Sequence, residues 1–315
     1  MARKAARVVR SSGRRCLPER LNGVPWVACW PVAAVLAAFA VAAPQAQEES
    51  QARFSSGVQA VEVYATVTDG AGEPVTGLRA DDFQVDDDGR PQAITTFAEG
   101  AFPLTVALGV DRSLSMAGEP LRLARRAAQS FLRQLRPGDR SMVVAINADA
   151  EVVASLDVPR DAQMQSIAAL DAWSTTALRD AVVKTLDRLA PESGRQALVV
   201  FSDGTDRYSQ VTAAEMLDRA RRGSALVYPI VFGRTAVPAL SDAARLTGGR
   251  AFVLRDAREL DGALGSIARE LRHQYLLGYA PAGAAEPGRW HPIRVRVRGP
   301  QAGSWRIRAR DGYER

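Results

Sequence analysis

The stretch GVDRSLSMAG (residues 109–118) sets Asp111, Ser113 and Ser115 at alternate positions directly after the apolar run PLTVAL. Alternate spacing lets three side chains of one tight loop point inward together. Two other stretches carry the same chemistry: STTALRDA brings the hydroxyl of Thr176, and VVFSDGTD brings the carboxylate of Asp203 at the end of another apolar run. Two carboxylates and three hydroxyls form an all-oxygen donor set. Such a set suits a hard cation, typically Mg²⁺ at about 2.0–2.1 Å with several retained waters, rather than zinc or copper. The plainer reading, in which Asp111 and Ser113 only cap the helix beginning near Glu119, accounts for one loop but not three. Gly204 and Gly118 would let backbone approach closely. Asp180, in the first turn after Thr176, could hold the hydroxyl loop as an outer hydrogen-bond acceptor or simply complement its helix dipole. Asp206 is expected to face solvent.

These loops need a scaffold that brings distant residues to one edge. From Phe102 onward, strand and helix patterns alternate: PLTVALGV, PLRLARRAAQSFLRQL, SMVVAINA, then later QALVVFS, AAEMLDRARR, ALVYPIVF, VPALSDAARLT and RAFVL. A final helix carries Leu260, Leu264, Ile267 and Leu271 on one face. The alternation predicts an α/β fold, a doubly wound, mostly parallel sheet with helices on both faces. EVVASLD follows the preceding strand too closely for a crossover and is expected as an antiparallel edge strand. In such sheets, sites form beyond the carboxyl ends of strands where the strand order reverses. Asp111 and Asp203 both fall at that edge.

Strand periodicity also marks the two flanks. VEVYATVTD (61–69) alternates apolar and polar residues, and FQVDDDGRPQAITTFA reads as a hairpin bending at Asp88-Gly89. After Tyr275 the same period returns in IRVRVRG and WRIRARDGY, each expected as one strand. The two ends are expected to assemble one β-sandwich-like unit around the α/β insert. The organisation expected is a leader (1–46), a linker (47–56), an N-terminal β unit (57–99), the α/β domain (102–274) and C-terminal strands (275–315). Arg294, Arg296, Arg298, Arg306, Arg308 and Arg310 would form a basic stripe on two neighbouring strands. That stripe reads as a solvated face, a grip for an anionic envelope polymer, or a counterpart to the acid-rich ADDFQVDDDG.

The formal charge of +6 does not imply a nucleic-acid partner, because residues 1–46 hold seven basic residues and one acid, leaving 34 of each sign afterwards. The leader itself has a basic start, an apolar run at 24–43 and a polar sequel, the layout of an export signal cleaved before Ala43 or Ala46. Uncleaved, residues 24–43 are about long enough to anchor the chain in a membrane. Both cysteines, Cys16 and Cys29, lie in this leader, so the exported protein would carry no disulfide. A periplasmic or extracellular location is expected.

The five donor positions resemble the von Willebrand factor A domain, whose metal-ion-dependent adhesion site carries a D-x-S-x-S loop, a threonine loop and an aspartate after a later strand. By that resemblance Asp111, Ser113 and Ser115 match the first loop, Thr176 the second and Asp203 the third. The family binds a divalent cation, usually Mg²⁺, with Mn²⁺ or Ca²⁺ as alternatives, and leaves one coordination position for an acidic side chain of a partner protein. The likeness extends to a bacterial VWFA-related subfamily of acidobacterial type. It runs through the N-terminal β unit, SDGTDRYS, and the end from QYLLGYAP to RIRARDGY, about residues 53–314. Ser174 and Thr175 stand where relatives often have two glycines, and Leu114 replaces a common glycine.

The resemblance implies a cation-dependent, non-enzymatic protein-binding module with no nucleic-acid partner, touching a membrane only through an uncleaved leader. An envelope assembly component whose metal only stabilises the fold is the alternative. A metal-dependent hydrolase is a third reading, but the two histidines, His273 and His291, fall outside the three loops, and no G-x-S-x-G, phosphate loop or G-x-G-x-x-G occurs.

Overall fold

The computed structural model describes residues 60–100, 102–281 and 288–314. The expected leader at 1–46 and linker at 47–56 lie outside the described residues. Among the described helices, none is long and apolar enough to cross a membrane.

Chain order begins with four strands: β1 (Val61–Thr68), β2 (Phe83–Asp87), β3 (Arg90–Gln92) and β4 (Thr96–Gly100). There follow β5 (Leu104–Asp111), α1 (Glu119–Gln134), β6 (Arg140–Ile146), β7 (Ala150–Ala154), α2 (Arg160–Ala168), α3 (Leu178–Leu189) and β8 (Arg195–Ser202). The α/β part closes with α4 (Ala213–Arg222), β9 (Leu226–Phe232), α5 (Pro238–Thr247), β10 (Phe252–Leu254) and α6 (Leu260–Arg272). Last come β11 (Gln274–Tyr279), β12 (Trp290–Val297), β13 (Arg306–Arg308) and β14 (Gly312–Glu314).

The central sheet has the order β10-β9-β8-β5-β6-β7. Every pairing in it is parallel except β6 with the edge strand β7. This is the doubly wound sheet with one antiparallel edge that the alternation predicts. Side chains of β5 and β8 leave the sheet on opposite faces in turn, so Val106, Leu108, Val110, Val199 and Phe201 join one core with α1 and α6. Ala107, Leu198 and Val200 join another with α3, α4 and α5. Helix α1 shows why these segments are helical: Leu121, Ala124, Ala128, Phe131 and Leu132 recur every three to four residues and are all buried. Burying a side chain such as Phe131 or Leu132 contributes roughly 1.5–3 kcal/mol each. A capping box fixes the start of α4. Thr212 Oγ1 accepts Glu215 N–H at 3.2 Å while the Glu215 carboxylate accepts Thr212 N–H at 2.8 Å.

The order of strands reverses between β5 and β8: the chain leaves β5 toward β6 and β7, then returns on the other side through β8, β9 and β10. The carboxyl ends of β5 and β8 therefore frame a crevice. Asp111 is the last residue of β5, and Asp203 follows the last residue of β8.

The flanking strands build two four-stranded sheets, β13-β1-β11-β4 and β14-β12-β2-β3. One apolar cluster spans both, with Val63, Val67, Phe83, Val85, Tyr275, Leu277 and Ile293 among its members. The N-terminal strands do not form a unit by themselves. β1 and β4 pair with β11, and β2 pairs with β12, so each N-terminal strand that carries core residues leans on a C-terminal one.

Two expectations are corrected here. WRIRARDGY is two short strands in different sheets, β13 against β1 and β14 against β12. The chain crosses from one sheet to the other between them, where Asp311 N–H bonds Leu246 O at 3.0 Å and the backbone of Ala309 packs where a side chain at Gly248 would otherwise stand. The arginine stripe is divided, since β12 and β13 lie in different sheets, while the expected counterpart in ADDFQVDDDG is found for Arg296. Arg308 turns inward to the buried Glu270 at 2.7 Å, Arg310 donates to Gly312 O at 2.6 Å, and Arg296 pairs with Asp86 across β12 and β2.

Candidate metal centre

Asp111 is fully buried, and its two oxygens are held separately. Oδ1 accepts the backbone N–H of Ser113 at 2.9 Å, and Oδ2 accepts the hydroxyl of Ser202 at 2.5 Å. The same Ser202 Oγ accepts Gly204 N–H at 2.9 Å, which ties the end of β5 to the turn after β8. Ser113 and Ser115 bring their hydroxyls within 3.1 Å of each other. Thr176, also buried, lines the same open depression as Ser113 and Ser115, a space of about 510 Å³. Asp203 is half-buried and its Oδ1 accepts Thr205 N–H at 2.9 Å. Its charge reaches Asp111. Burial raises the Asp111 carboxyl above its ordinary value, the hydrogen bonds from Ser202 and Ser113 oppose this, and the neighbouring Asp203 raises it further.

The helix-cap reading of Asp111 and Ser113 fails. Gly118 occupies the cap of α1, no side chain caps it, and Asp111 spends its oxygens on Ser113 and Ser202 instead. Gly118 adopts φ +82°, but a Cβ there would meet open space, so the need is for backbone conformation and not close approach. Gly204 needs both. Its φ is also +82°, and a Cβ would lie 2.2 Å from Val237 Cγ2.

Three loops are sewn together by main-chain bonds. Leu114 N–H bonds Ser174 O at 2.9 Å, Trp173 N–H bonds Arg112 O at 2.7 Å, and Arg207 and Tyr208 N–H both reach Thr176 O at 3.1 Å. Asp180 stands in the first turn of α3, where its charge complements the helix dipole as expected, but the loop it holds is not that of Thr176. Its oxygens accept Gln210 N–H at 3.1 Å and Val211 N–H at 2.8 Å, so it anchors the loop that carries Asp203. Asp206, expected in solvent, lies over the start of α3. It pairs with Arg179 Nε at 3.0 Å and accepts Arg179 N–H at 3.1 Å, a favourable place for negative charge. Its partner lies 27 residues away in the chain, and nothing local announces the contact. Ser202 was legible in one respect only, as the hydroxyl ending the apolar run before Asp203.

Residues 106–205, which span all five donor positions, match the family model of the von Willebrand factor type A domain. The chain contains a von Willebrand factor type A domain. Among solved structures, an aerotolerance-related membrane protein from Bacteroides fragilis is 16% identical, with 53% of this chain and 98% of that one covered and a TM-score of 0.45. A von Willebrand factor type A protein from Catenulispora acidiphila is 14% identical over 83% of this chain and 76% of its own, with a TM-score of 0.47. Proximal thread matrix protein 1 from the mussel byssus, in a form with a zinc-occupied MIDAS motif, is 14% identical over 59% of this chain and 50% of its own, TM-score 0.49. No curated protein matches the chain in sequence.

A second group of potential ligands lies away from the von Willebrand factor type A domain, in the sandwich, where atoms of Asp87, Asp88 and His291 fall within 4.8 Å of one another. Protein groups serve most of these atoms, while Asp87 Oδ1 and His291 Nε2 are buried without a hydrogen-bond partner. Tyr279 and Tyr313 hydroxyls donate to Asp87 Oδ2 at 3.0 and 2.9 Å, while His291 Nδ1 and Arg289 approach Asp88 Oδ2 at 2.9 and 3.2 Å. This cluster clamps the β2–β3 turn onto β12. His291 belongs to that clamp, and His273 ends α6.

Proposed function

We propose that the chain is an exported, cation-dependent protein-binding module and not an enzyme, with Mg²⁺ held by Asp111, Ser113, Ser115, Thr176 and Asp203. The observation that carries the reading is the state of Asp111: a carboxylate with no exposed surface, raised by burial, next to a second carboxylate and facing hydroxyls. A buried charge of this kind is costly unless an opposite charge meets it. The donors are all oxygen, which fits Mg²⁺ and is a poor match for soft metals. Asp111 and Asp203 would supply the charge, the three hydroxyls would complete the protein's share, and Asp180 and Gly204 would keep the loops in place. The cation would supply a positive centre for a partner carboxylate, which the surrounding low-dielectric rim strengthens. Export rests on the leader alone.

A chelator-controlled capture from envelope extract tests it, with wild type beside Asp111→Ala. Capture that needs Mg²⁺, vanishes with EDTA and is absent for Asp111→Ala is the expected result. Capture unaffected by EDTA, together with a melting temperature that Mg²⁺ still raises, would reassign the ion to fold stabilisation and the chain to envelope assembly. Substrate turnover abolished by Asp111→Ala would make it an enzyme.

A further inference from the structure

The exposed large hydrophobic side chains among the described residues are Leu114 (65% exposed), Trp173 (65%) and Tyr208 (60%). An isolated exposed apolar residue is ordinary, but these three are not scattered. Each occupies a different one of the three loops that carry the donor oxygens: Leu114 between Ser113 and Ser115, Trp173 ahead of Thr176, Tyr208 after Asp203. Main-chain bonds fix the three loops to one another, Leu114 to Ser174, Trp173 to Arg112 and Tyr208 to Thr176. Leu114 lines the depression over the donor set, and so do Ser174 and Arg207, the chain neighbours of Trp173 and Tyr208.

From this geometry we infer that the face binds a partner protein through an acidic side chain flanked in sequence by large apolar residues. The inference rests on the cation-dependent reading above and adds what must surround the carboxylate. The charge balance favours an anionic partner. A divalent cation offsets Asp111 and Asp203, and the exposed Arg207 then leaves the depression positive. The apolar collar supplies what the charge cannot, because Trp, Tyr and Arg are the residue types that dominate binding energy when a partner covers them. Burying their surfaces excludes water from the carboxylate contact as well. A carboxylate alone, from a small organic acid or a glycan, would leave this collar wet.

The test uses the full chain and three acetylated, amidated pentapeptides: Gly-Phe-Asp-Leu-Gly, its Gly-flanked counterpart Gly-Gly-Asp-Gly-Gly, and the Asn version Gly-Phe-Asn-Leu-Gly. Binding is read by calorimetry in Mg²⁺ and in EDTA, beside a direct Mg²⁺ titration. Wild type should prefer the apolar-flanked Asp peptide over the Gly-flanked one by about tenfold or more, a difference of about 1.4 kcal/mol. The combined variant Leu114→Ala, Trp173→Ala and Tyr208→Ala should keep wild-type Mg²⁺ affinity and lose that preference. Equal binding of both Asp peptides, absence of binding by any peptide to the Mg²⁺-loaded wild type, or a variant that still prefers the flanked peptide overturns the collar. If the flanked peptide binds equally in EDTA and with Asn in place of Asp, the collar stands as an apolar surface, and it is the cation-dependent reading that fails, taking the acidic part of this inference with it.

Discussion

Two acidic clusters in this chain differ in what answers their charge. In the β2–β3 hairpin, Asp86, Asp87 and Asp88 face Arg296, two tyrosine hydroxyls, His291 and Arg289, all contributed by strands of the sandwich or their flanks. At the carboxyl edge of the central sheet, Asp111 faces only hydroxyls and a main-chain N–H, and its nearest charge of note is another acid. The first cluster meets cationic and hydroxyl groups of the protein, although Asp87 Oδ1 and His291 Nε2 stay buried without a hydrogen-bond partner. The second meets no cationic side chain among the contacts of Asp111. Grouped acids therefore point to a cation site only where the fold brings no cationic side chain against them, and that depends on partners far away in the chain.

The comparison can be broken by substitution, and the largest effect is expected at Asp87. Asp87→Ala removes the charged acceptor of the Tyr279 and Tyr313 hydroxyls, two hydrogen bonds worth about 1.5–3 kcal/mol each, so denaturant unfolding should show a loss of roughly 3–6 kcal/mol. The rise in melting temperature on adding Mg²⁺ should survive in that variant, and it should disappear in Asp111→Ala. Gly204→Ala should come next. The left-handed backbone and the collision with Val237 predict a loss of roughly 1–3 kcal/mol and weaker Mg²⁺ binding, measured by thermal melts and calorimetry.

Smaller effects should sharpen the contrast. The Gln84 amide and then Arg296 hold Asp86 below the ordinary carboxylate range. A depressed folded-state value means that this contribution is complete above the unfolded value near 3.9 and is lost as pH falls through the folded one. Unfolding midpoints should therefore drop in that acid window, less so for Asp86→Asn than for wild type. Reversing the pair, Asp86→Arg with Arg296→Asp, should recover about 0.5 kcal/mol relative to the single changes, as cross-strand ion pairs do. The smallest effect belongs to Ser174, which stands at φ +63° where glycine is easier. Ser174→Gly should leave Mg²⁺ binding intact and change stability by less than about 1 kcal/mol.

Sequence periodicity made the central sheet legible because its inner strands are built on apolar runs, and those of β5 and β8 end where the donor residues begin. The edge strand β7 was legible from spacing alone. What escaped was tertiary. The split of β13 from β14 falls where the chain meets Gly248 and Leu246, which lie about sixty residues earlier. The turn of Asp206 toward Arg179, and the anchoring of the Asp203 loop by Asp180, likewise depend on side chains that meet only after the sheet has formed. The exposure of Leu114, Trp173 and Tyr208 is invisible to hydropathy, which assigns such residues to a core by default.

A calorimetric titration of Mg²⁺, repeated with Mn²⁺, into wild type, Asp111→Ala and Asp87→Ala tests the central claim most directly. One ion per chain for wild type and Asp87→Ala, with no heat for Asp111→Ala, is the predicted result. No heat for wild type, or an ion that Asp87→Ala removes and Asp111→Ala keeps, would contradict it.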